Sequence, residues 1–469
     1  MGNTQQPSKI SNEIDRDSVE IVSKDDIKSY FKCDLPIILS GQVWKIKDDI
    51  IDMRRWFHKN PELSYKEFNT SKTIIEYLKE LKNIKIKSNI AKTGVIGILK
   101  GNKPGPCILL RADMDALPIN ETLSEYNKAF ISQNKGVMHA CGHDCHISIL
   151  LGAATILSKL QYLLHGSVKF CFQPAEEGGA GAKAMIDEGI LSNDIIVDQV
   201  YGLHVWSYDA FGTARIHDGP FMAGAMMFSI KIKGKGGHAA IPHGTNDCTV
   251  ACAYLIQQLN TIVSRNINPK KTCVLTIGTV KCGYKSNIIS DYADLTGTLR
   301  WFEKEIMELA LKRMREIFQG IEQSFGVEIT FEISKLGGIT ETIPPTTNID
   351  KNCINIVRKC VKEVLPSCDV SGKGKYGPTM AGEDFSFFLN EKPGCFFFLG
   401  CAVEENTSNA NDDIKTNDTN NATSNTNIIY PHHKPNFKVD ERVLIVGVQI
   451  MVGIVLENLL PGEEFQQQT

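Results

Sequence analysis

Arg111-Ala-Asp113-Met-Asp115-Ala-Leu-Pro118 follows directly on the apolar, β-rich run 107–110, and this junction decides the fold. A short strand entering an acidic turn puts Asp113 at the strand's C-terminal end, the edge where open α/β sheets collect ligands. Next, Met138-His-Ala-Cys141-Gly-His143-Asp144-Cys-His146 leads into 146–160, which reads as a helix with small residues at Gly152, Ala153 and Ala154. Residues 167–172 read as a strand delivering Glu176 and Glu177 of Gln173-Pro-Ala-Glu176-Glu177-Gly-Gly just past its end, and 200–203 do the same for His204. Strands alternating with helices predict an α/β unit with a mostly parallel sheet and helices on both faces.

Working outward, 48–58 and a segment capped by Asn69 or Thr70 read as helices, the second with an apolar stripe of Ile74, Ile75, Leu78 and Leu81. From Met227 the pattern changes, because Phe228-Ser-Ile-Lys-Ile-Lys-Gly alternates apolar with polar and suits a sheet with one solvated face. A helix over 247–263, strands near 274–280 and 293–301, a charged helix over 304–323 and a strand over 327–333 complete an inserted α+β unit. The expected division is a polar N-terminal extension 1–44, a first catalytic segment 45–226, an inserted lid and dimerisation domain 227–334, and a second catalytic segment 335–469. Within the last, 402–428 is an Asn, Thr, Asp and Ser tract that lacks an apolar face and reads as a disordered insertion. Its sequons at Asn406, Asn417 and Asn421 read as chance matches in a biased composition.

The 469 residues exceed one core of usual size, which favours two domains. A net charge of -3 without a basic stripe argues against nucleic acid and anionic membranes and for a small-molecule substrate. No apolar run is read as approaching a membrane span. The start Met1-Gly-Asn-Thr-Gln-Gln6 lacks an apolar signal core, and Gln6 stands where a myristoylation pattern wants Ser or Thr. The fourteen cysteines are therefore expected to be reduced thiols in the cytoplasm.

The clusters share a donor chemistry of thiolate, imidazole and carboxylate. Cys141 and His143 can point into one site from a loop that Gly142 makes easy. Adjacent carboxylates such as Glu176 and Glu177 repel unless a cation or a proton neutralises one, so one can bind metal while its neighbour serves as base. Metal ions held by such groups lower the pKa of bound water from about 15.7 toward roughly 7.

These motifs resemble the metallopeptidase family that includes aminoacylase-1 and carboxypeptidase G, and specifically its amidohydrolase subgroup. The similarity runs from about Arg54 to Leu459. It takes in Arg55-Trp-Phe-His58-Lys-Asn-Pro61-Glu62-Leu-Ser, the four clusters above, Gly234-Lys-Gly-Gly-His238-Ala-Ala-Ile-Pro242-His243, Gly297-Thr-Leu-Arg300, Ala381-Gly-Glu383-Asp384-Phe-Ser386 and His433-Lys-Pro435-Asn-Phe437. The resemblance implies a zinc-peptidase-like catalytic domain whose ligands Cys141, His143, Glu177, His204 and His433 hold two divalent ions, Zn2+ or Mn2+ with Co2+ as a third candidate. It makes Glu176 the general base, His238 an oxyanion stabiliser often supplied across a homodimer, and Asn287 and Arg300 substrate-binding groups. Arg300 reads equally as a strand residue in a structural ion pair. Asp113 and Asp115 are implied to orient ligands, and His432 competes with His433 for the ligand role. Ser290 and Cys145 depart from the subgroup's usual Pro and small residue. The implied activity is metal-dependent hydrolysis of N-acyl-amino acids, with a dipeptidase or aminopeptidase and a catalytically silent metabolite-binding homologue as alternatives.

Overall fold

The computed structural model describes residues 41–372, 377–403 and 429–460. Most of the polar N-terminal extension, and residues 404–428 of the Asn-rich tract with its three sequons, lie outside the described residues. Residues 41–45 are already helical, and Val43 is fully buried.

The elements run in order α1 (Lys47–Lys59), α2 (Phe68–Glu80), β1 (Ile84–Ile90), β2 (Gly94–Lys100), β3 (Lys103–Asp113), α3 (His143–Lys159), β4 (His165–Gln173), β5 (Gln199–Ala210) and β6 (Ala214–Arg215). They continue with β7 (Gly224–Lys233), α4 (Cys248–Thr261), β8 (Cys273–Cys282), β9 (Tyr292–Trp301), α5 (Lys304–Phe325), β10 (Glu328–Ile333), α6 (Lys351–Val364), β11 (Gly394–Ala402) and α7 (Arg442–Leu459). The chain divides into two compact units, one of residues up to Asp218 with Asn348–Tyr376 and Phe388 onward, the other of Gly219–Thr347 with Gly377–Phe387.

The first unit is built on a seven-stranded sheet ordered β1-β2-β4-β3-β5-β11-β6. Its four central strands are mutually parallel, while β1, β2 and β6 join antiparallel, so the sheet is mixed and parallel only at its centre. The centre is where helical crossovers bury both faces, and the reversed strands close the edges. In β4, Val168, Phe170 and Phe172 enter the main core, while Lys169 and Cys171 turn to the opposite face. There Lys169 Nζ donates to the carbonyls of Ile190 and Asn193, and Cys171 meets Met185 of the helix Gly181–Asp187.

Helix α1 carries Asp48 and Asp49 in its first turn and His58 and Lys59 in its last, matching its dipole, and buries Ile50, Met53 and Phe57. The cap expected at Asn69 or Thr70 comes from elsewhere: the Glu62 carboxylate accepts both of their backbone N–H groups, at 3.1 and 2.8 Å, inside the first turn of α2. Helix α3 is buried from His143 to Ser158, and a Cβ on Gly152 would come 2.7 Å from Val448 and 3.0 Å from Ile50, so glycine lets α1, α3 and α7 approach closely. Helix α7 corrects one expectation, since by length and composition its 18 residues are apolar enough to cross a membrane. Here Val443, Leu444, Val448, Met451 and Val455 are buried in the core, which accounts for its all-round hydrophobicity.

The second unit has an antiparallel sheet ordered β8-β9-β7-β10, packed with α4 and α5. Strand β7 shows the expected alternation, with Phe228, Ile230 and Ile232 buried and Lys231 and Lys233 exposed. It begins before Met227 because Gly224, Ala225 and Met226 pair with Trp301, Arg300 and Leu299 of β9. The Asp247 side chain caps α4 by accepting from Thr249 and Val250 N–H.

One ion-pair network ties α1, α3 and α7 together. Arg54, fully buried, lies 2.8 Å from Asp144 and 3.3 Å from Glu441, and Asp144 also lies 2.8 Å from His58 Nδ1. Removing one partner strands a buried charge, so Asp144→Ala is expected to lower unfolding free energy by about 3–5 kcal/mol in chemical denaturation. A loss of under about 1 kcal/mol would show that Glu441 alone compensates the guanidinium.

Candidate metal centre

Two strand ends and a residue inside a third strand converge in the first unit. Asp113 closes β3 opposite Gln173, the last residue of β4, so the turn carrying Glu176 and Glu177 starts beside it. His204 corrects the expectation of a residue just past its strand: β5 continues to Ala210, and His204 sits within it, paired with Phe398 of β11. The longer strand follows from β11 running parallel alongside. Cys141 precedes Gly142, which has φ 89°, and His143 begins α3. A Cβ on Gly142 would stand 2.6 Å from Val205 Cγ2, so both backbone and space require glycine. His433, with φ 61°, is brought in by its N–H donating to the Ala140 carbonyl at 2.9 Å.

Their donor atoms cluster. Cys141 with His143 and His204, and Cys141 with Glu177 and His433, form two groups whose ligand atoms lie within 4.8 Å of one another, and His143, Glu176 and Glu177 form a third. Cys141 Sγ is 3.4 Å from His204 Nε2, and His433 Nε2 is 3.2 Å from Glu177 Oε1. The buried donor atoms indicate a fit to metal: His143 Nε2 has no hydrogen-bond partner, and Glu177 Oε1 has the His433 imidazole beside it without a hydrogen bond of good geometry. His143 Nδ1 donates to the Asp115 carbonyl at 2.8 Å and His204 Nδ1 to the Val205 carbonyl at 2.6 Å, which turns each Nε2 lone pair toward the cluster.

Two other imidazoles are occupied. His146 Nδ1 donates to Asp113 at 2.5 Å while its Nε2 accepts Val205 N–H at 2.9 Å. His432 Nε2 accepts Ser207 N–H at 3.0 Å, and its ring packs on Trp206 and Phe437. Of the two competing histidines, His433 is the one facing Glu177 and Cys141.

The two aspartates orient the others. Asp115 is buried, and its Oδ1 and Oδ2 accept the backbone N–H groups of Glu176 and Glu177, each at 3.0 Å, while Ser64 Oγ donates to Oδ2 at 2.6 Å. Asp113 accepts from Arg111 Nη1 at 2.7 Å, and Arg111 Nε donates to Gln173. Sequence reasoning quoted Arg111 without a role and singled out neither Tyr65 nor Glu67. A buried carboxylate in a polar turn has no periodicity to reveal it.

The electrostatics suit a cation. Burial, reinforced by Glu177, Glu176 and Asp113, pushes the Cys141 thiol well up. Burial would lower His143, but Asp113, Asp115 and Glu177 outweigh it and raise the imidazole to about 10. His204 is held well below its ordinary value by burial and then by His146 and His432, so it stays neutral. A divalent ion would replace the protons of Cys141 and His143 among these carboxylates.

The second unit holds the remaining candidates. His238 and Ile288 are paired in a short ladder, the Ala239 N–H donates to the Asn287 carbonyl, and His238 Nδ1 accepts Ala240 N–H at 3.1 Å. Arg300 lies in β9 opposite Ala225, near Gly382, where a Cβ would come 2.9 Å from its Nη1. Ser290 donates to the Tyr292 carbonyl and accepts Gly283 N–H.

A thiol, imidazoles and carboxylates meeting at the ends of central parallel strands are the parts of a metallohydrolase site. Residues 109–424 match Peptidase family M20/M25/M40, and the chain belongs to that family. It is 37% identical over 417 residues to thermostable carboxypeptidase 2 of Saccharolobus solfataricus, covering 88% of this chain and 96% of that one. It is 39% identical over 356 residues to the N-acetyl-L-cysteine deacetylase of Bacillus subtilis, covering 76% and 81%. The crystal structure of the Bacillus subtilis YXEP protein, a dinuclear metal-binding peptidase from family M20, superposes with a TM-score of 0.69 at 31% identity over 88% of this chain and 98% of that one.

Two outcomes follow for the metal-free protein. Zn2+ binding near pH 7.5 is expected to release protons, from Cys141 and His143, measured as a buffer-dependent heat in calorimetry; a buffer-independent heat would mean those groups do not bind the ion. Asp115→Ala is expected to weaken Zn2+ binding by about 10- to 100-fold in a chelator competition, because it removes the acceptor of the Glu176 and Glu177 N–H groups and so releases Glu177, while the Asp115 carbonyl still holds His143.

Proposed function

We propose that the chain is a metal-dependent amidohydrolase that cleaves the amide between an acyl group and an amino acid. One observation carries this reading: Glu176 and Glu177 lie side by side in a turn pinned by Asp115, with Glu177 facing His433 and Cys141 and its neighbour left to act as base. Cys141, His143, Glu177, His204 and His433 would hold two divalent ions, Zn2+ or Mn2+ with Co2+ as a third candidate. The two overlapping groups that share Cys141, and a relative described as dinuclear, support the pair. When bound, the ions supply a water acidified toward roughly pKa 7 and polarise the scissile carbonyl.

Glu176 accepts the proton of the attacking water and passes it to the leaving amine. Asp115 and Asp113 keep the donors oriented. His238, with Nδ1 occupied, has Nε2 to offer an oxyanion, Asn287 stands beside it, and Arg300 suits the free carboxylate of the amino-acid product. The relative named as a carboxypeptidase supports a second reading in which the acyl group is itself a peptide.

The proposed assembly is a homodimer through the second unit. Strand β8 is an edge strand of ten residues exposing Val274 and Val280, and α4 beside it exposes Val250 and Tyr254. An apolar unpaired edge is a template for a second copy. The cysteines among the described residues form no disulfide, which fits the reducing cytoplasm as the proposed compartment.

Purified protein is expected to release amino acid from a panel of N-acyl-amino acids and dipeptides, with activity lost to a chelator, and Glu176→Gln is expected to lower kcat by about 10²- to 10⁴-fold. Undiminished turnover in that variant would remove Glu176 as the base. Sedimentation is expected to show a dimer that Val274→Asp with Val280→Asp converts to monomer; a fully active wild-type monomer would end the dimer proposal.

A further inference from the structure

The turn Glu176–Gly179 is bracketed by two left-handed alanines, Ala175 with φ 54° and Ala180 with φ 53°, and Gly178 within it has φ 79°. Left-handed backbone is costly for residues with a Cβ and persists where its surroundings hold it. Asp115 holds the middle of this turn; something must hold its ends.

The turn 64–67 supplies both. Glu67 is fully buried, and its Oε1 accepts Ala175 N–H at 2.9 Å. The same oxygen accepts Tyr65 N–H at 2.9 Å, while Thr93 Oγ1 donates to Oε2 at 2.6 Å. Tyr65, itself left-handed at φ 59°, donates its hydroxyl to the Gly179 carbonyl at 2.7 Å. Its ring lies against Gly179, where a Cβ would come 3.1 Å from Tyr65 Cε2, and Lys92 sits over the ring at 4.7 Å. Ser64 completes the set through its bond to Asp115. Three of four consecutive residues thus grip one loop: the N–H before Glu176, the carboxylate beneath it and the C=O two residues past Glu177.

We infer that Tyr65 and Glu67 are positioning residues that clamp the two ends of the Glu176–Glu177 turn and set the direction of both carboxylates. Neither side chain meets substrate in this role; they act through Ala175 and Gly179. The clamp tolerates either protonation state of Glu67, whose carboxyl is pushed up to about 7 by burial and then by Asp115. A protonated Oε2 can donate to Thr93, and Oε1 remains the acceptor for both N–H groups. This predicts that an amide will substitute for the acid.

The inference rests on Glu176 as base, and the test separates the two ideas. In the metal-loaded full-length protein, Tyr65→Phe keeps the ring but drops the hydroxyl, and is expected to lower kcat about tenfold with KM changed less than about twofold. Glu67→Ala is expected to lower kcat by about 10- to 100-fold, and Glu67→Gln to restore it to within about threefold of wild type. Wild-type kcat in metal-loaded Tyr65→Phe and Glu67→Ala, with only the melting temperature reduced, would overturn the clamp. Should the wild type turn over no N-acyl substrate, the hydrolase reading falls, and Zn2+ affinity decides the clamp through Glu177. Glu67→Ala must then bind Zn2+ about tenfold or more weakly and Glu67→Gln must not; equal affinity in all three overturns it.

Discussion

One buried carboxylate, Asp115, organises the site. Its two oxygens accept the backbone N–H groups of Glu176 and Glu177 and the hydroxyl of Ser64, while its own carbonyl accepts His143 Nδ1. Three segments remote in sequence are thereby referred to one residue. A carboxylate in apolar surroundings is expensive unless hydrogen-bonded, and burial does push Asp115 upward; His143, Ser64 and the Glu177 N–H outweigh it and bring the group below its usual range. The arrangement that lets Asp115 stay charged is the one that aims the metal donors.

The same economy runs through the neighbouring layer. Asp113 is kept charged against burial by Arg111 and by His143 and His146, and His146 in turn is locked by Val205 N–H. Beside it, Asp144 is kept charged by Arg54 and His58, fastening the helix that starts with His143 to α1 and α7. Among the described buried atoms without a hydrogen bond, His143 Nε2 and Glu177 Oε1 are two that face the shared cluster. Buried donor atoms that point into a cluster of thiol, imidazole and carboxylate without a hydrogen bond suit a cation.

Period and punctuation made much of this legible in advance. The alternation from Phe228 to Lys233 marks a half-solvated strand, the turn chemistry at Asn60-Pro61 ends α1, and Gly142 marks a loop, where the structure has a φ of 89°. Less visible was whatever depended on a distant partner. The cap of α2 comes from Glu62 rather than Asn69 or Thr70, β5 extends past His204 because β11 lies alongside, and α7 is apolar on all sides because it packs between other helices and the sheet. Tyr65 and Glu67 went unread for the same reason, since a glutamate that grips a loop 108 residues away looks like any polar turn residue.

By itself the sequence determined the α/β character, the family and the donor types, because local propensity, hydrophobic period and short motifs act over a few residues. The tertiary structure alone shows how the donors that the resemblance implied come together, with His433 beside Glu177 and Cys141 while the rings of His432 and His146 bond elsewhere. That difference turns on which imidazole nitrogens are already spent on backbone N–H groups and carboxylates, and those partners come together only when the sheet is assembled.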